Sequence, residues 1–289
     1  MAMQTDSFDD LGFKRLGFKR LVLGLQPGAS SHSMRFAVEL AELMRLDLLG
    51  LLLDDGNLEN LATIPFAREF RSLGGGWRPI DAEQLARDFE LTARSMQRAF
   101  TEAAKGLATR QQFDIARGAM ADLVHAISRA DDIVMIMEPT SPGERVTQQF
   151  ERLIQVALQS AAAVMFVPRR VIRTTGPVVA IMASPDDPSV PAAASIAAEA
   201  KEDLIVLDIR DAAPDSASVG KLTENLTLKP KHIVTGKVRL SQPASLQQAL
   251  QPFHERLVVA SRNIFQDGDA AAIAAARCVP VLVIEPARQ

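Results

Sequence analysis

Residues 20–53, RLVLGLQPGASSHSMRFAVELAELMRLDLLGLLL, spell out a β-strand, an α-helix and a second β-strand. The first apolar run, Leu21 to Leu25, meets a small polar turn from Gln26 to Ser31. Apolar residues at Met34, Ala37, Val38, Ala41 and Met44 then recur at helical spacing, and Leu48 to Leu53 forms the second apolar run. Short continuous apolar runs on either side of an amphipathic helix fit a parallel sheet covered on both faces. The crossover between the strands is expected to be right-handed. Ligands on such sheets bind beyond the C-terminal ends of the strands, beside the first strand-to-helix turn.

Downstream, the pattern continues. Residues 54–80 look irregular and hold Pro65, Arg68, Arg71, the triple glycine Gly74 to Gly76, and the single tryptophan, Trp77. A long helix is expected from Asp81 to Leu107. Asp81 would be its N-cap, Gln84 would occupy the capping-box position, and Leu85, Phe89, Leu91, Met96 and Phe100 would form its core stripe. Three further strands are expected at Phe113–Ala116, Ile133–Met137 and Ala163–Val167, with helices over 119–130 and 146–160. After a basic link from Arg169 to Gly176 the pattern restarts. Strands are expected at 177–183, 204–209, 232–238, 257–260 and 280–284, and helices at 190–200, 244–253 and 269–276, while 212–231 is ambiguous. Strands alternating with helices twice over predict two α/β units, residues 1–170 and a shorter, more divergent 171–289. The expected fold class is two tandem, doubly wound, mainly parallel five-stranded sheets of Rossmann-like type.

Composition narrows the function classes. The chain has 289 residues, 47% hydrophobic and 23% charged, with a net charge of −3. Nothing there favours nucleic acid or an anionic membrane surface. No apolar stretch reaches the length of a membrane span. The polar, acidic residues 1–10 do not read as a secretion signal. One cysteine, Cys278, allows no internal disulfide and fits a reducing cytoplasm. It precedes the last strand and is expected to be buried. The duplicated five-residue segment within 11–20 reads as a longer lead into the first strand.

The same landmarks resemble the universal stress protein family. Leu21-Val22-Leu23-Gly24-Leu25, Ala130-Asp131-Asp132-Ile133-Val134-Met135 and Ala161 to Pro168 are similar to the family's first, fourth and fifth strands. Val178 to Ile181, Arg256 to Val259 and Cys278 to Val283 repeat them in the second half. The resemblance implies a tandem protein of the adenine nucleotide alpha hydrolase-like fold, in the cytoplasm, with a stress or regulatory role and no turnover. It implies a pseudo-dimer of the two units, with homodimerisation a further possibility, protein partners, and no nucleic-acid or membrane partner. ATP-binding members resemble one another in an aspartate after strand one and in the pattern G-x-x-G-x(9)-G-(S/T) after strand four. Here the aspartate position falls on Gln26 and on Met182, and the first glycine position on Glu138. Only Gly143 offers bare backbone nearby, and Phe150-Glu151-Arg152 lacks the third glycine. Backbone N–H groups cradle phosphates where no Cβ intervenes, so these departures imply loss of ATP binding and no resident cofactor. The alternatives are an ATP- and Mg²⁺-dependent switch with slow ATPase activity, and an interaction scaffold that binds no ligand.

Candidate residues for holding a small anionic or nucleotide ligand in the first unit are Gln26, Gly28, Ser30, Ser31, Glu138, Ser141 and Gly143, with Trp77 as part of a lid. The hydroxyls of Ser30 and Ser31 would either hold an anion at the helix N-terminus or simply cap the helix. The Trp77 loop would serve as a lid pairing an aromatic face with arginines, pack on the domain or a partner, or lack order. No catalytic residue and no metal site is expected. His32, His125, His232 and His254 have no partners at metal-ligand spacing. Asp131-Asp132 lies at the wrong end of a strand for a site; Asp186-Asp187 lies at the right end and reads as a helix cap.

Overall fold

The structure is a computed structural model. It describes residues 17–25, 31–54, 64, 66, 68–71, 76–118, 120–139, 147–210, 228, 230–235, 243–266 and 268–285. The strands of the first half are β1 (Arg20–Leu25), β2 (Asp47–Asp54), β3 (Arg68–Arg71), β4 (Gly76–Pro79), β5 (Gln111–Arg117), β6 (Asp132–Met137) and β7 (Ala163–Val167). Its helices are α1 (Ser31–Leu43), α2 (Ala82–Ala103), α3 (Met120–Ile127) and α4 (Gln148–Ser160). In the second half come β8 (Val178–Met182), α5 (Ser189–Ala200), β9 (Leu204–Asp208), β10 (His232–Thr235) and α6 (Pro243–Leu250). They are followed by β11 (Leu257–Ser261), a short 3-10 turn (Arg262–Ile264), α7 (Asp269–Arg277) and β12 (Val281–Ile284).

The two five-stranded sheets join edge to edge. Strand order is β10-β9-β8-β11-β12-β7-β6-β1-β2-β5, a single ten-stranded sheet. Within this sheet, all pairings inside each half are parallel. The join between β7 and β12 is antiparallel, with Val164 opposite Val283 and Met165 opposite Leu282. Each half repeats the same strand order outward from this seam, so the halves are related by an approximate two-fold axis through it. In each half the strand order reverses between the first and fourth strands, β1 and β6 or β8 and β11. That is where an open α/β sheet forms a crevice.

The alternation of strand side chains explains the two cores. One face carries Leu21, Leu23, Ile133, Met165, Val259 and Leu282 beneath α1, α2 and α5. The other carries Val22, Val134, Val164, Val258 and Val283 beneath α3, α4, α6 and α7. Both cores run across the seam. The alanine-rich α5 is buried over most of its length, and Arg45, beyond α1, bridges to Glu199 on α5 at 3.2 Å.

Local signals act where the sequence places them, with some corrections. Asp81 caps α2, accepting from the amides of Glu83 and Gln84 at 3.0 and 3.2 Å. The helix stops at Ala103, short of Leu107. Its buried stripe uses Ala93 along with Met96 and Phe100, whereas Leu91 faces solvent. A 3.6-residue period carries the stripe from Phe89 to Ala93 and turns Leu91 to the opposite face. Residues 54–80 are less irregular than expected, because β3 and β4 pair as an antiparallel hairpin with Phe70 opposite Trp77. Cys278 is only partly buried; it ends α7 in a left-handed conformation, φ 54°. Most of the duplicated segment and of the ambiguous 212–231 lies outside the described residues.

Buried ion pairs hold the N-terminal ends of the strands. Arg20 grips the buried Asp132 through Nε and Nη2, at 3.0 and 2.6 Å. The amide of Arg129 also donates to Asp132, at 2.8 Å. Lys19 pairs with Asp131 at 2.8 Å. This acidic pair therefore serves as a structural clasp. In the second half the buried Glu255 occupies the comparable place, gripped by Arg277 from the end of α7.

Candidate functional site

The C-terminal ends of the strands differ between the halves. In the second half, the crevice between β8 and β11 is occupied by the protein's own groups. Asp187 is buried and accepts hydrogen bonds from the Ala183 amide at 2.9 Å, the Ser189 amide at 3.0 Å and the Ser261 hydroxyl. The Ser189 hydroxyl donates to the Ile181 carbonyl at 2.8 Å. Asp187 lies one residue before the N-cap, Pro188, rather than at the cap itself; its carboxylate takes the first amide of α5 and ties the end of β11 to the turn after β8. Each polar group in the knot is bonded to another member of it or to adjacent backbone.

Next to this knot, the carboxylate of Asp208 at the end of β9 receives a fork from Arg210, 2.9 and 2.7 Å long. Burial pushes the Asp208 carboxyl up. Hydrogen bonds from the Arg210 side chain and amide, together with its charge, outweigh burial and leave the group below the usual carboxylate value. Asp131 is likewise lowered, first by its hydrogen bond from Lys19. A lowered folded-state value adds stability that is complete above the unfolded value, about 3.9, and is lost as pH falls through the folded one. Urea midpoints are therefore expected to hold between pH 7 and about pH 5 and to drop toward pH 3. Asp208→Asn should be the less stable protein at neutral pH, with the gap to the parent closing in acid. A gap independent of pH would show that Asp208 stabilises by packing alone.

In the first half, Gln26, Gly28, Ser30, Ser141 and Gly143 lie outside the described residues, as do the side chains of Ser31 and His32. Ser31 begins α1 directly beyond the crevice end of β1. Glu138 is the first residue past β6. Its amide donates to the Val167 carbonyl at 2.8 Å, and its carboxylate accepts from the Arg169 amide at 2.7 Å. The side chain that sequence placed among triphosphate contacts is therefore turned toward the exit of β7.

Glu138 also lines a cavity of about 440 Å³. Ile136, Phe166, Val167 and Pro168 contribute from the sheet, Phe150, Glu151, Ile154 and Gln155 from α4, and Gly268, Ala271, Ala272 and Ala274 from α7. The cavity therefore draws on both halves. Its origin lies in side-chain size: alanines of α7 face the bulky residues of α4 and leave the space between them unfilled. Arg262, the first residue past β11, closes the neighbouring stretch. It donates to the Leu158 carbonyl of α4 at 2.8 Å and to Glu285 at 3.1 Å.

Trp77 is not brought to this cavity. Its ring packs on Phe70 across the hairpin, with centroids 5.5 Å apart, and both are largely exposed, at 65% and 60%. His125 is exposed on α3, with Nδ1 3.1 Å from the Ser160 hydroxyl. Among the described residues no cluster of histidine, cysteine, aspartate and glutamate is arranged to hold a metal ion, and no helix is long and apolar enough to cross a membrane.

Sequence reasoning missed the Asp187–Ser261 bond and the α7 wall of the cavity. The only available signal for the wall was the run of alanines in Asp269 to Arg277.

No protein-family model matches the chain, and no curated protein matches it. Solved structures do. A universal stress protein from Archaeoglobus fulgidus DSM 4304 is similar at a TM-score of 0.57 and 10% identity, over 91% of this chain and 96% of that one. A protein of unknown function from Pseudomonas aeruginosa PAO1 gives 0.54 and 13%, over 94% and 95%. A candidate universal stress protein from Pseudomonas aeruginosa UCBPP-PA14 gives 0.52 and 13%, over 94% and 95%. The fold is thus the Rossmann-like fold of universal stress proteins along nearly the whole chain, as the sequence resemblance implied.

Proposed function

We propose that this chain is a tandem protein of the universal stress type, made of units 1–170 and 171–289, with a regulatory role and no catalytic turnover. The reading takes it as a cytoplasmic protein that responds to a small ligand held partly by its first half, while the second half acts as a built-in structural partner. One observation carries it: in the second half a buried carboxylate stands at the strand ends where phosphate recognition would need bare backbone N–H groups. Asp187 fills the second-half crevice; in the first half Glu138 holds the place of the family's first glycine, with its carboxylate turned toward the exit of β7. A carboxylate close to a triphosphate is strongly repulsive, more so away from bulk water.

The test is a titration with ATP, with and without Mg²⁺, followed by thermal melting and by phosphate release. Neither is expected to change at millimolar ATP. Occupancy at a hundredfold excess over Kd would stabilise by about 2.7 kcal/mol, a readily seen shift. A saturable rise in melting temperature would replace this reading with the nucleotide switch.

A further inference from the structure

The cavity between α4 and α7 is a place where packing is incomplete although bulkier residues would close it. We infer that it binds a small molecule with an apolar body, alkyl or aryl, and one protonated amine. This deepens the reading of the protein as a ligand-responsive regulator and rests on it.

Three observations converge. First, about 440 Å³ falls inside the range of small-molecule sites, roughly 300–1,000 Å³. Second, Ile136, Phe150, Ile154, Phe166, Ala271 and Ala274 make the wall mainly apolar, which calls for an apolar body whose burial drives binding. Third, the charged groups among the described lining residues are Glu138 and Glu151, and neither lysine nor arginine is among them. The amide of Arg169 orients the Glu138 carboxylate beside the cavity. A carboxylate against an apolar wall attracts a cation more strongly than it would in water, and an N⁺–H donor bonds to it more strongly than a neutral one. An anionic ligand meets repulsion at the same point. Acidic lining thus selects an amine over an alcohol, and an alcohol over a carboxylate.

Because the lining comes from both halves, an occupied cavity would also brace the seam. The α7 wall comes from the second half and the α4 wall from the first, so a ligand touching both couples their opening. That gives a non-catalytic protein a means of reporting occupancy through its own rigidity.

The experiment uses the full chain and three matched probes, n-hexylamine, n-hexanol and n-hexanoate at pH 7, where the amine is protonated. Binding is read by ligand-observed NMR and by melting temperature. Hexylamine is expected to bind saturably and about tenfold more tightly than hexanol, with hexanoate weakest. Ala271→Phe should abolish hexylamine binding by filling the space. Ala272→Phe, at an exposed lining position, serves as a second filling variant should the first unfold. Glu138→Gln retains an acceptor for the Arg169 amide but removes the charge, and should bring hexylamine to within about twofold of hexanol. Equal affinity for amine and alcohol in the parent overturns the cation preference. Binding that survives both filling variants places the site elsewhere, and absence of saturable binding by any probe removes the proposal. ATP titration of the same sample separates the two levels. Silent probes with silent ATP defeat this inference alone, whereas saturable ATP binding defeats the reading beneath it.

Discussion

Glu255→Ala is expected to lower stability by about 3–5 kcal/mol, the range for breaking a buried ion pair. The Glu255 side chain is fully buried and receives Nε and Nη2 of Arg277, both at 2.9 Å. Arg173 approaches the same carboxylate at 3.6 Å and donates to the Glu255 carbonyl at 2.8 Å. Arg277 donates in addition to the carbonyls of Leu250 and Phe253. One carboxylate is thus shared by two guanidinium groups and joins the ends of α6 and α7 to the link before β8. Without it, two cations remain in a poorly hydrated place with no counter-charge. Urea unfolding at pH 7 measures the effect. A double variant, Glu255→Leu with Arg277→Met, should recover part of the loss, because apolar replacement removes the charges together. A single-variant cost below about 1 kcal/mol would mean that the cluster behaves like a surface bridge.

Gly176→Ala should rank beside it. Gly176 has φ +121°, and a Cβ there would lie 2.4 Å from the His254 carbonyl oxygen. Its amide meanwhile donates to Glu202 at 3.0 Å, so the backbone is held in place. Two penalties add: strain in a region of backbone space nearly reserved for glycine, about 1–3 kcal/mol, and a clash with main chain that cannot rotate away. Gly106→Ala separates them. Gly106 has φ +100° but nothing within 4 Å of an added Cβ, so its substitution reports the conformational cost alone. Gly176→Ala should lower the unfolding midpoint clearly more than Gly106→Ala. Equal losses would show that the link before β8 yields to the methyl group.

The sequence made the elements legible where burial is two-sided and continuous. Leu21 to Leu25, Ile133 to Met137 and Leu257 to Ala260 can only be interior strands, and they are. Capping was equally readable, since Asp81 and Gln84 need only each other's neighbourhood. Pairing across the seam was not legible. Val164 and Val283 are apolar on an edge strand or an interior one alike, and nothing local says that β7 meets β12. The hairpin escaped notice because Arg68 to Arg71 and Gly76 to Pro79 carry charge, glycine and proline instead of an apolar run; its strands are joined to each other by the Phe70–Trp77 contact. Of the residues predicted to bind a ligand, Glu138 alone is described in full at the cavity. The cavity itself depends on Ala271 and Ala274 lying opposite Phe150 and Ile154, a juxtaposition fixed by the join of the halves.

The antiparallel meeting of β7 and β12 takes place inside one polypeptide, and that changes its dependence on dilution. Two separate chains with this geometry would part as they were diluted. Here residues 168–177 tether the halves and keep the partner strand at an effective concentration on the order of millimolar, whatever the amount of protein. A tether also lets evolution edit one side at a time, whereas in a pair of identical chains every mutation is written twice. Glu138 and Arg262 hold the same place in the two halves, directly past the fourth strand, with opposite charge. Two copies of one sequence cannot encode that difference.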